Sequence, residues 1–210
     1  MAVARVISSR YYFVMSDQSP RPAEKIATLL DRLSRVSREM QFVHGLNPAQ
    51  WEALRFIAAA NRYSRTPGAL ADYLGSTKGT VSQTLIALET KGLIQRVRSK
   101  TDKRRVTLQV TPAGQDLVDR DPIHDIVHAA SALDPALRED VVTGLESLLE
   151  ALQNRQGAKR FGVCCTCGLY IASPSEPCSE RQRCGLTGDP IAQSEVNRVC
   201  VNFSRKQQAP

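Results

Sequence analysis

The fold of this chain is decided by residues 66–110, which read TPGALADYLGSTKGTVSQTLIALETKGLIQRVRSKTDKRRVTLQV. Thr66-Pro67 is a typical helix start and Gly75 a typical helix end, so this part predicts a short helix. Either residue of Ser76-Thr77 can cap a second helix, which Lys91-Gly92 stops. The two helices are joined by a turn too short for any other element.

The spacing of the apolar residues changes after this pair of helices. Apolar and polar residues alternate over residues 93–98 and 105–110, which is typical of two half-buried strands. The turn between them, SKTDKR, is polar and basic. Two short helices joined by a tight turn and followed by a basic hairpin predict a winged helix-turn-helix.

Longer helical patterns flank this centre on both sides. Apolar residues recur at three- and four-residue steps from Pro22 to His44, and Asn47-Pro48 begins another helix. Helical patterns return from Thr111 to about Ala130, and a last long helix runs from Asp134-Pro135 to Gly157. The first and last helices carry apolar stripes that one small domain cannot cover, so we expect a homodimer to bury them. The fold class is therefore mainly α with a small β-hairpin wing and with N- and C-terminal dimerisation helices.

The second helix of the central pair has the side chains of a DNA-reading helix. An α-helix fits the major groove of B-DNA, which is about 12 Å wide, and small or polar side chains can then hydrogen-bond to base edges. The outward positions of this helix carry such side chains: Thr77, Lys78, Thr80, Ser82, Gln83 and Thr84.

The charge of the chain is concentrated on the wing. The formal net charge is +7, which favours polyanionic partners without identifying them. From Lys91 to Arg105 there are seven basic residues and one acid, whereas acids outnumber basic residues by nine to three between Asp116 and Arg155. A basic hairpin beside a polar helix predicts a double-stranded DNA surface. Its wing residues are Arg96, Arg98, Lys100, Asp102, Lys103 and Arg104.

Two stretches resemble the core of the MarR family. They are LNPAQWEALRFIA at residues 46–58 and GALADYLGSTKGTVSQTLIALETKGLIQRVRSKTDKRRVTLQVTPAG at residues 68–114, the latter with the D-x-R element of the wing as Asp102-Lys103-Arg104. The resemblance covers roughly residues 25–155. It implies a homodimer whose first and last helices pack together and whose two recognition helices bind a pseudo-palindromic operator.

The resemblance also implies roles for single residues. Arg104 matches the wing-tip arginine that enters the minor groove, and Asp102 would orient it through a salt bridge. Gln83 stands where many members of the family have arginine. A phosphate contact made there by other members must therefore be made elsewhere in this chain.

These features predict a sequence-specific transcription regulator, which we expect to be a repressor that responds to an unidentified small-molecule effector. An enzyme is not expected, because no nucleophile is paired with a base and an orienting acid, and there is no glycine-rich phosphate loop. The alternative is a protein-interaction module with a structural zinc site and a winged helix that does not bind DNA.

All six cysteines lie after residue 163. The Cys164-x-x-Cys167 pair brings two thiolates together, and Cys184 and Cys200 can complete a four-sulfur metal site. Cys165 and Cys178 are left over. Only one of the two pairs of a zinc ribbon is present, so an iron–sulfur cluster is favoured over Zn²⁺, while free or disulfide-bonded thiols stay a third possibility.

The chain is accordingly divided into three parts. Residues 1–21 form a flexible leader, residues 22–157 the winged-helix DNA-binding and dimerisation domain, and residues 158–210 a cysteine-rich metal-binding tail. Arg5 and Arg10 interrupt the apolar residues of the N-terminus, which therefore is not a secretory signal. No apolar run approaches the roughly 20 residues that span a bilayer. We expect a cytoplasmic protein with no membrane partner, in which clustered cysteines bind metal or respond to redox state more often than they form structural disulfides.

Overall fold

The computed structural model describes residues 21–98, 106–171 and 182–205. Its helices are α1 (Pro22–Met40), α2 (Pro48–Ala59), α3 (Pro67–Leu74), α4 (Lys78–Thr90), α5 (Pro112–Val118), α6 (Ile123–Ser131) and α7 (Pro135–Gln156). Its strands are β1 (Ile94–Arg98), β2 (Val106–Val110), β3 (Gly162–Val163), β4 (Tyr170–Ile171), β5 (Arg183–Cys184) and β6 (Val199–Cys200). In these three ranges no helix is long and apolar enough to cross a membrane.

The chain divides into two compact units, of which the first ends at Ser37 and the second begins at Arg38. Helix α1 contains no buried side chain. Its apolar residues follow the predicted three- and four-residue steps and are between 46% and 63% exposed; they are Ile26, Leu29, Leu33 and Val36. An apolar stripe of this kind is normally covered by another surface.

Helix α1 ends at Met40, four residues before the predicted end at His44. His44 and Gly45 both have positive φ, 55° and 70°. Residues 41–43 already lie outside the helix, and the left-handed backbone that follows them cannot continue a right-handed helix.

Helix starts lie where the cap residues predicted them. The side chain of Asn47 accepts a hydrogen bond from the N–H of Gln50, and the Gln50 side chain accepts one from the N–H of Asn47. Thr66 and Thr77 cap α3 and α4 in the same way through their hydroxyl oxygens. Each cap satisfies backbone donors that the first turn of a helix leaves free. These caps fix where the helix-turn-helix begins.

Helix α2 forms the centre of the hydrophobic core. Trp51, Leu54 and Ile57 are at most 1% exposed. They belong to one cluster with the inner faces of α3, α4 and the hairpin, through residues such as Leu70 and Leu108. Strands β1 and β2 pair antiparallel, from Ile94 opposite Val110 to Arg98 opposite Val106. The predicted winged helix-turn-helix is therefore confirmed as the fold of this region.

Gly114 is required by the packing of α5 against the hairpin. A Cβ atom at this position would lie 2.1 Å from the carbonyl oxygen of Leu93 and 2.8 Å from a methyl carbon of Val110. Real Cβ atoms do not approach backbone oxygen so closely. The absence of a side chain lets the first turn of α5 follow directly on β2.

The region from Thr111 to about Ala130, which the sequence predicts to be helical, consists of two separate helices. Helix α5 ends at Val118 and α6 begins at Ile123. Pro122 lies between them and has no backbone N–H to donate to a continuous helix. The buried carboxylate of Asp121 instead accepts a 2.8 Å hydrogen bond from the N–H of Ile123. The turn is thus stabilised by the side chain of Asp121, a polar residue that the apolar periodicity places on the surface.

The cysteine-rich tail is folded onto the winged-helix region. Strand β3 pairs antiparallel with β6, and β4 pairs with β5. Val199 of β6 forms a parallel bridge with Ala60, the residue that follows α2. Phe161, Val199 and Val201 pack against the central hydrophobic cluster. The tail therefore packs partly against the core of the helix-turn-helix and partly around a small cluster of its own, formed by Cys164, Ile191 and Val196.

Candidate functional site

Helix α4 presents one face to the core and one to solvent. Val81, Leu85 and Leu88 are at most 2% exposed and hold the inner face against α2 and α3. Of the predicted DNA-reading residues, four are exposed and two are partly buried. The exposed ones are Thr77, Lys78, Thr80 and Gln83, and the partly buried ones are Ser82 and Thr84.

Three of the predicted hydroxyl groups already have partners inside the helix. The Thr77 and Thr80 hydroxyls lie 2.9 Å apart, and Thr77 also accepts the N–H of Thr80. The Thr84 hydroxyl donates to the carbonyl oxygen of Thr80. The longer side chains of Lys78 and Gln83 are therefore better placed than the threonines to reach beyond the helix surface.

Arg96 of the wing is oriented towards α4. Its guanidinium lies 3.4 Å from the carboxylate of Glu89 and donates to the carbonyl oxygen of Ser82 at 3.5 Å. Its backbone N–H also donates to Glu89. Arg96 thus fixes the wing to the recognition helix, a role that the sequence pattern does not suggest. Arg98 is exposed at the end of β1.

The remaining wing residues predicted to contact DNA lie outside the described residues. They are Lys100, Asp102, Lys103 and Arg104. The predicted minor-groove role of Arg104 and the orienting role of Asp102 therefore stay predictions.

A second candidate site lies in the tail, where four cysteines line one small pocket. Cys164, Cys167, Cys184 and Cys200 contribute to its wall together with Asn61, Tyr63, Leu169, Tyr170, Ile191 and Asn202. We call this the cysteine pocket. Cys164, Cys167 and Cys200 are buried, and Cys184 is partly buried. The structure thus brings together the four cysteines that the sequence selected as ligands.

Two cysteines, Cys165 and Cys178, were not selected as metal ligands from the sequence. Cys165 is exposed, and its thiol donates to the side-chain oxygen of Asn197. Cys178 lies outside the described residues. Although Cys165 follows Cys164 directly, it does not line the cysteine pocket.

Hydrogen-bond donors face three of the pocket sulfurs. The Asn61 side chain hydrogen-bonds to Cys164, and the N–H of Ser204 donates to the sulfur of Cys167 at 3.5 Å. Cys184 accepts hydrogen bonds from Leu186 and Thr187. Donors of this kind stabilise the ionised form of a thiol.

The electrostatics of the pocket depend on whether the thiols are ionised. Burial, and after it the charges of the three other pocket cysteines, together raise the pKa of the Cys164 thiol to about 11, although the Asn61 hydrogen bond acts in the opposite direction. Burial also raises the pKa of Cys184, but hydrogen bonds from the backbone of Thr187 and Leu186 outweigh this, so the pKa is lowered. Four ionised sulfurs would repel one another, and a cation between them would offset that repulsion.

The four cysteines share a pocket without forming a compact site for a single metal ion. In the described ranges, no group of three or more Cys, His, Asp and Glu side chains is placed to hold a single metal ion. A tetrahedral zinc site needs every sulfur about 2.3 Å from one atom.

The tail is hydrogen-bonded to the segment between α2 and α3, which we call the α2–α3 loop (residues 60–66). The N–H of Asn61 donates to the carbonyl oxygen of Val199 at 2.9 Å, and the N–H of Val201 donates to the hydroxyl oxygen of Ser64 at 2.8 Å. The Tyr63 hydroxyl donates to the carboxylate of Asp189 at 2.7 Å. Sequence reasoning missed these loop residues, because nothing in NRYSR distinguishes a buried polar loop from a solvated one.

Comparison with known proteins connects this geometry to a family. Residues 44–105 match the sequence profile of the MarR family. None of the curated proteins compared with the chain matches it. Among solved structures, S. aureus MepR in its DNA-binding conformation is 26% identical, with 61% of this chain and 98% of that chain covered and a TM-score of 0.53.

Two other MepR structures give similar values. The S. aureus MepR–DNA complex is 24% identical, with 60% of this chain and 96% of that chain covered and a TM-score of 0.50. A point mutant of S. aureus MepR is also 24% identical, with 64% of this chain and 100% of that chain covered and a TM-score of 0.52. At this level of identity the last two structures establish the similarity of fold.

Proposed function

We propose that this chain is a sequence-specific transcription regulator of the MarR type that binds double-stranded DNA, because residues 44–105 match the profile of that family. It acts as a homodimer on a pseudo-palindromic operator. Occupation of an operator near a promoter obstructs transcription, so the regulator is a repressor, and a small-molecule effector relieves the repression.

The observation that carries this proposal is the outer face of α4. It presents the ammonium group of Lys78 and the carboxamide of Gln83 from a helix that is anchored to the core by its opposite face. A carboxamide can make two hydrogen bonds with adenine, and an ammonium group can contact guanine or phosphate. The similarity to S. aureus MepR in its DNA-binding conformation supports the same use of this helix.

The homodimer is supported by the exposed apolar stripe of α7. Helix α7 has 22 residues and none of them is buried. Its exposed large apolar side chains are between 41% and 55% exposed; they include Val141, Leu145, Leu149 and Leu152. A second copy of the chain that covers this stripe would also place two recognition helices about one DNA turn, or 34 Å, apart.

The proposal is tested with the purified full chain and DNA from its own upstream region. Fluorescence anisotropy at physiological salt compares an upstream fragment with a scrambled fragment of equal length. A specific regulator binds its operator roughly 1,000-fold or more tightly than other DNA. Equal affinity for both fragments would overturn sequence-specific binding, and no affinity for either would favour the protein-interaction alternative.

A further inference from the structure

We propose that Cys164, Cys167, Cys184 and Cys200 hold an iron–sulfur cluster, and that this cluster fixes the α2–α3 loop and thereby the position of the helix-turn-helix. The second part rests on the proposed function, while the first part does not.

The four ligands come from three separate pieces of the tail. Cys164 and Cys167 flank a single 3-10 turn, in which the N–H of Cys167 donates to the carbonyl oxygen of Cys164. Cys184 ends β5, and Cys200 ends β6. Sulfurs that converge from separate segments on one pocket form a ligand set, whereas a chance pair of neighbouring cysteines does not.

The pattern of the ligands favours a cluster over one ion, because a zinc ribbon supplies two Cys-x-x-Cys pairs and this tail has only one. In a four-iron cluster each iron takes one protein sulfur, so the four sulfurs stand around the cluster and not around a point. This agrees with four cysteines that share a pocket while no three described side chains are placed for a single ion. Zinc would require the sulfurs to close in on one centre.

The remaining wall of the pocket suits a cluster. Leu169, Tyr170 and Ile191 give it an apolar lining, which limits the access of water. The hydrogen bonds that Cys164, Cys167 and Cys184 accept are the contacts by which a protein stabilises and tunes cluster sulfurs.

Asn61 joins the pocket to the α2–α3 loop. Its side chain is 1% exposed and hydrogen-bonds to the Cys164 sulfur. The side-chain oxygen of the same residue accepts from the N–H of Tyr63 and from both the N–H and the hydroxyl of Ser64. One buried carboxamide therefore connects a cluster ligand to the conformation of the loop.

The loop in turn holds both parts of the DNA-binding region. It ends at Thr66, the cap of α3, which is the first helix of the helix-turn-helix. The carbonyl oxygen of Arg65 accepts the N–H of Leu108 in β2 at 2.7 Å. A change in this loop would move α3 relative to the wing, so loss of the cluster lowers affinity for the operator.

The experiment compares two forms of the full chain under anaerobic conditions. One form is reconstituted with iron and sulfide, and the other is stripped of metal with a chelator. We expect about four iron and four sulfide per chain in the first form, broad visible absorption, and operator affinity at least tenfold higher than in the stripped form. Circular dichroism of both forms controls for unfolding.

Variants separate the ligands from the neighbouring thiol. Cys164→Ser and Cys200→Ser are expected to lose iron and sulfide, whereas Cys165→Ser keeps both. Ser64→Ala removes the contact with Val201 and one of the contacts with Asn61. It is expected to keep the cluster spectrum but to show the lower operator affinity of the stripped form.

Each possible result has a distinct meaning. Stoichiometric zinc without iron and sulfide, or metal retention by Cys164→Ser, overturns the cluster. A cluster with equal operator affinity in both forms overturns its coupling to the helix-turn-helix. If neither form binds its upstream DNA, the proposed function fails even when iron and sulfide analysis supports the cluster.

Discussion

The Nε group of Arg55 on α2 donates a 2.6 Å hydrogen bond to the carboxylate of Asp121 in the turn between α5 and α6. The Asp121 side chain is 3% exposed and that of Arg55 is 21% exposed. Arg55 also lies 5.9 Å from the centre of the Trp51 ring. A partly buried ion pair therefore fixes the turn that interrupts the predicted helix.

Removal of Arg55 is expected to destabilise the domain. Arg55→Met leaves the Asp121 carboxylate buried without its cation, and it lowers the free energy of unfolding by about 3 kcal/mol. Urea unfolding followed by circular dichroism measures the change. Arg35→Met is the control, because Arg35 pairs with Asp31 on the surface with both side chains more than 60% exposed, and its loss costs under about 1 kcal/mol. Equal effects of both substitutions would contradict a structural role for the buried pair.

Two glycine substitutions are expected to act in opposite directions. Gly114→Ala places a methyl group against the Leu93 carbonyl oxygen and destabilises the chain by at least about 2 kcal/mol. Gly144→Ala lies within α7, where a Cβ meets no atom within 4 Å, and it stabilises the helix by about 0.5–1 kcal/mol. Thermal unfolding of both variants and of the parent chain shows whether each substitution raises or lowers the stability of the protein. A stable Gly114→Ala variant would mean that α5 does not lie so close to the hairpin.

Substitutions at two positions of the recognition helix, α4, are expected to weaken DNA binding in different ways. Gln83→Ala removes a group aimed at base edges and weakens operator binding by about 1–3 kcal/mol, with little change on scrambled DNA. Lys78→Ala weakens binding to both DNAs if its ammonium group contacts phosphate, and it reduces the salt dependence by about one unit of slope.

Thr84→Val is the matched control for these two variants, since the Thr84 hydroxyl is already bonded to Thr80 inside the helix. Anisotropy titrations at three salt concentrations measure all three variants. If Thr84→Val lost more operator affinity than Gln83→Ala, the outward face of α4 would have been assigned wrongly.

The dimer is expected to depend on the stripe of α7. Leu145→Asp combined with Leu149→Asp puts two carboxylates into a surface that a second copy must desolvate, and it yields monomers in sedimentation velocity. Ser147→Lys introduces a charge on the opposite side of the same helix, where Ser147 is exposed, and should leave the dimer intact. A double variant that still sediments as a dimer would place the interface elsewhere.

The sequence predicted the winged helix well because its signals are local. Thr66-Pro67, Gly75 and Thr77 act within one turn of helix, and the hairpin shows a clear period of two. The break at Asp121-Pro122 was missed because the apolar spacing continues across it, although Pro122 marks the position. The apolar spacing likewise continues past Met40, where α1 ends, towards the left-handed backbone at His44.

The candidate site was predictable only in part, for a similar reason. Cysteine is rare enough that spacing alone selected Cys164, Cys167, Cys184 and Cys200. Asn61 and Ser64 could not be selected, because their importance comes from partners more than 100 residues away in the chain. The direction of Arg96 towards Glu89 likewise results from tertiary packing.

The bonds between the tail and the α2–α3 loop also bear on the synthesis of the protein. Arg198 donates to the carbonyl oxygen of Ala58 across 140 residues, and Val201 to Ser64 across 137. A chain emerges from the ribosome N-terminus first. Helices α3 and α4 are therefore synthesised long before strand β6, which is hydrogen-bonded to the α2–α3 loop. A polypeptide released before Val199 would carry the whole helix-turn-helix without that strand. Only a chain translated through Val201 therefore has the strand that fixes the α2–α3 loop, whereas a shorter fragment could compete for the same DNA.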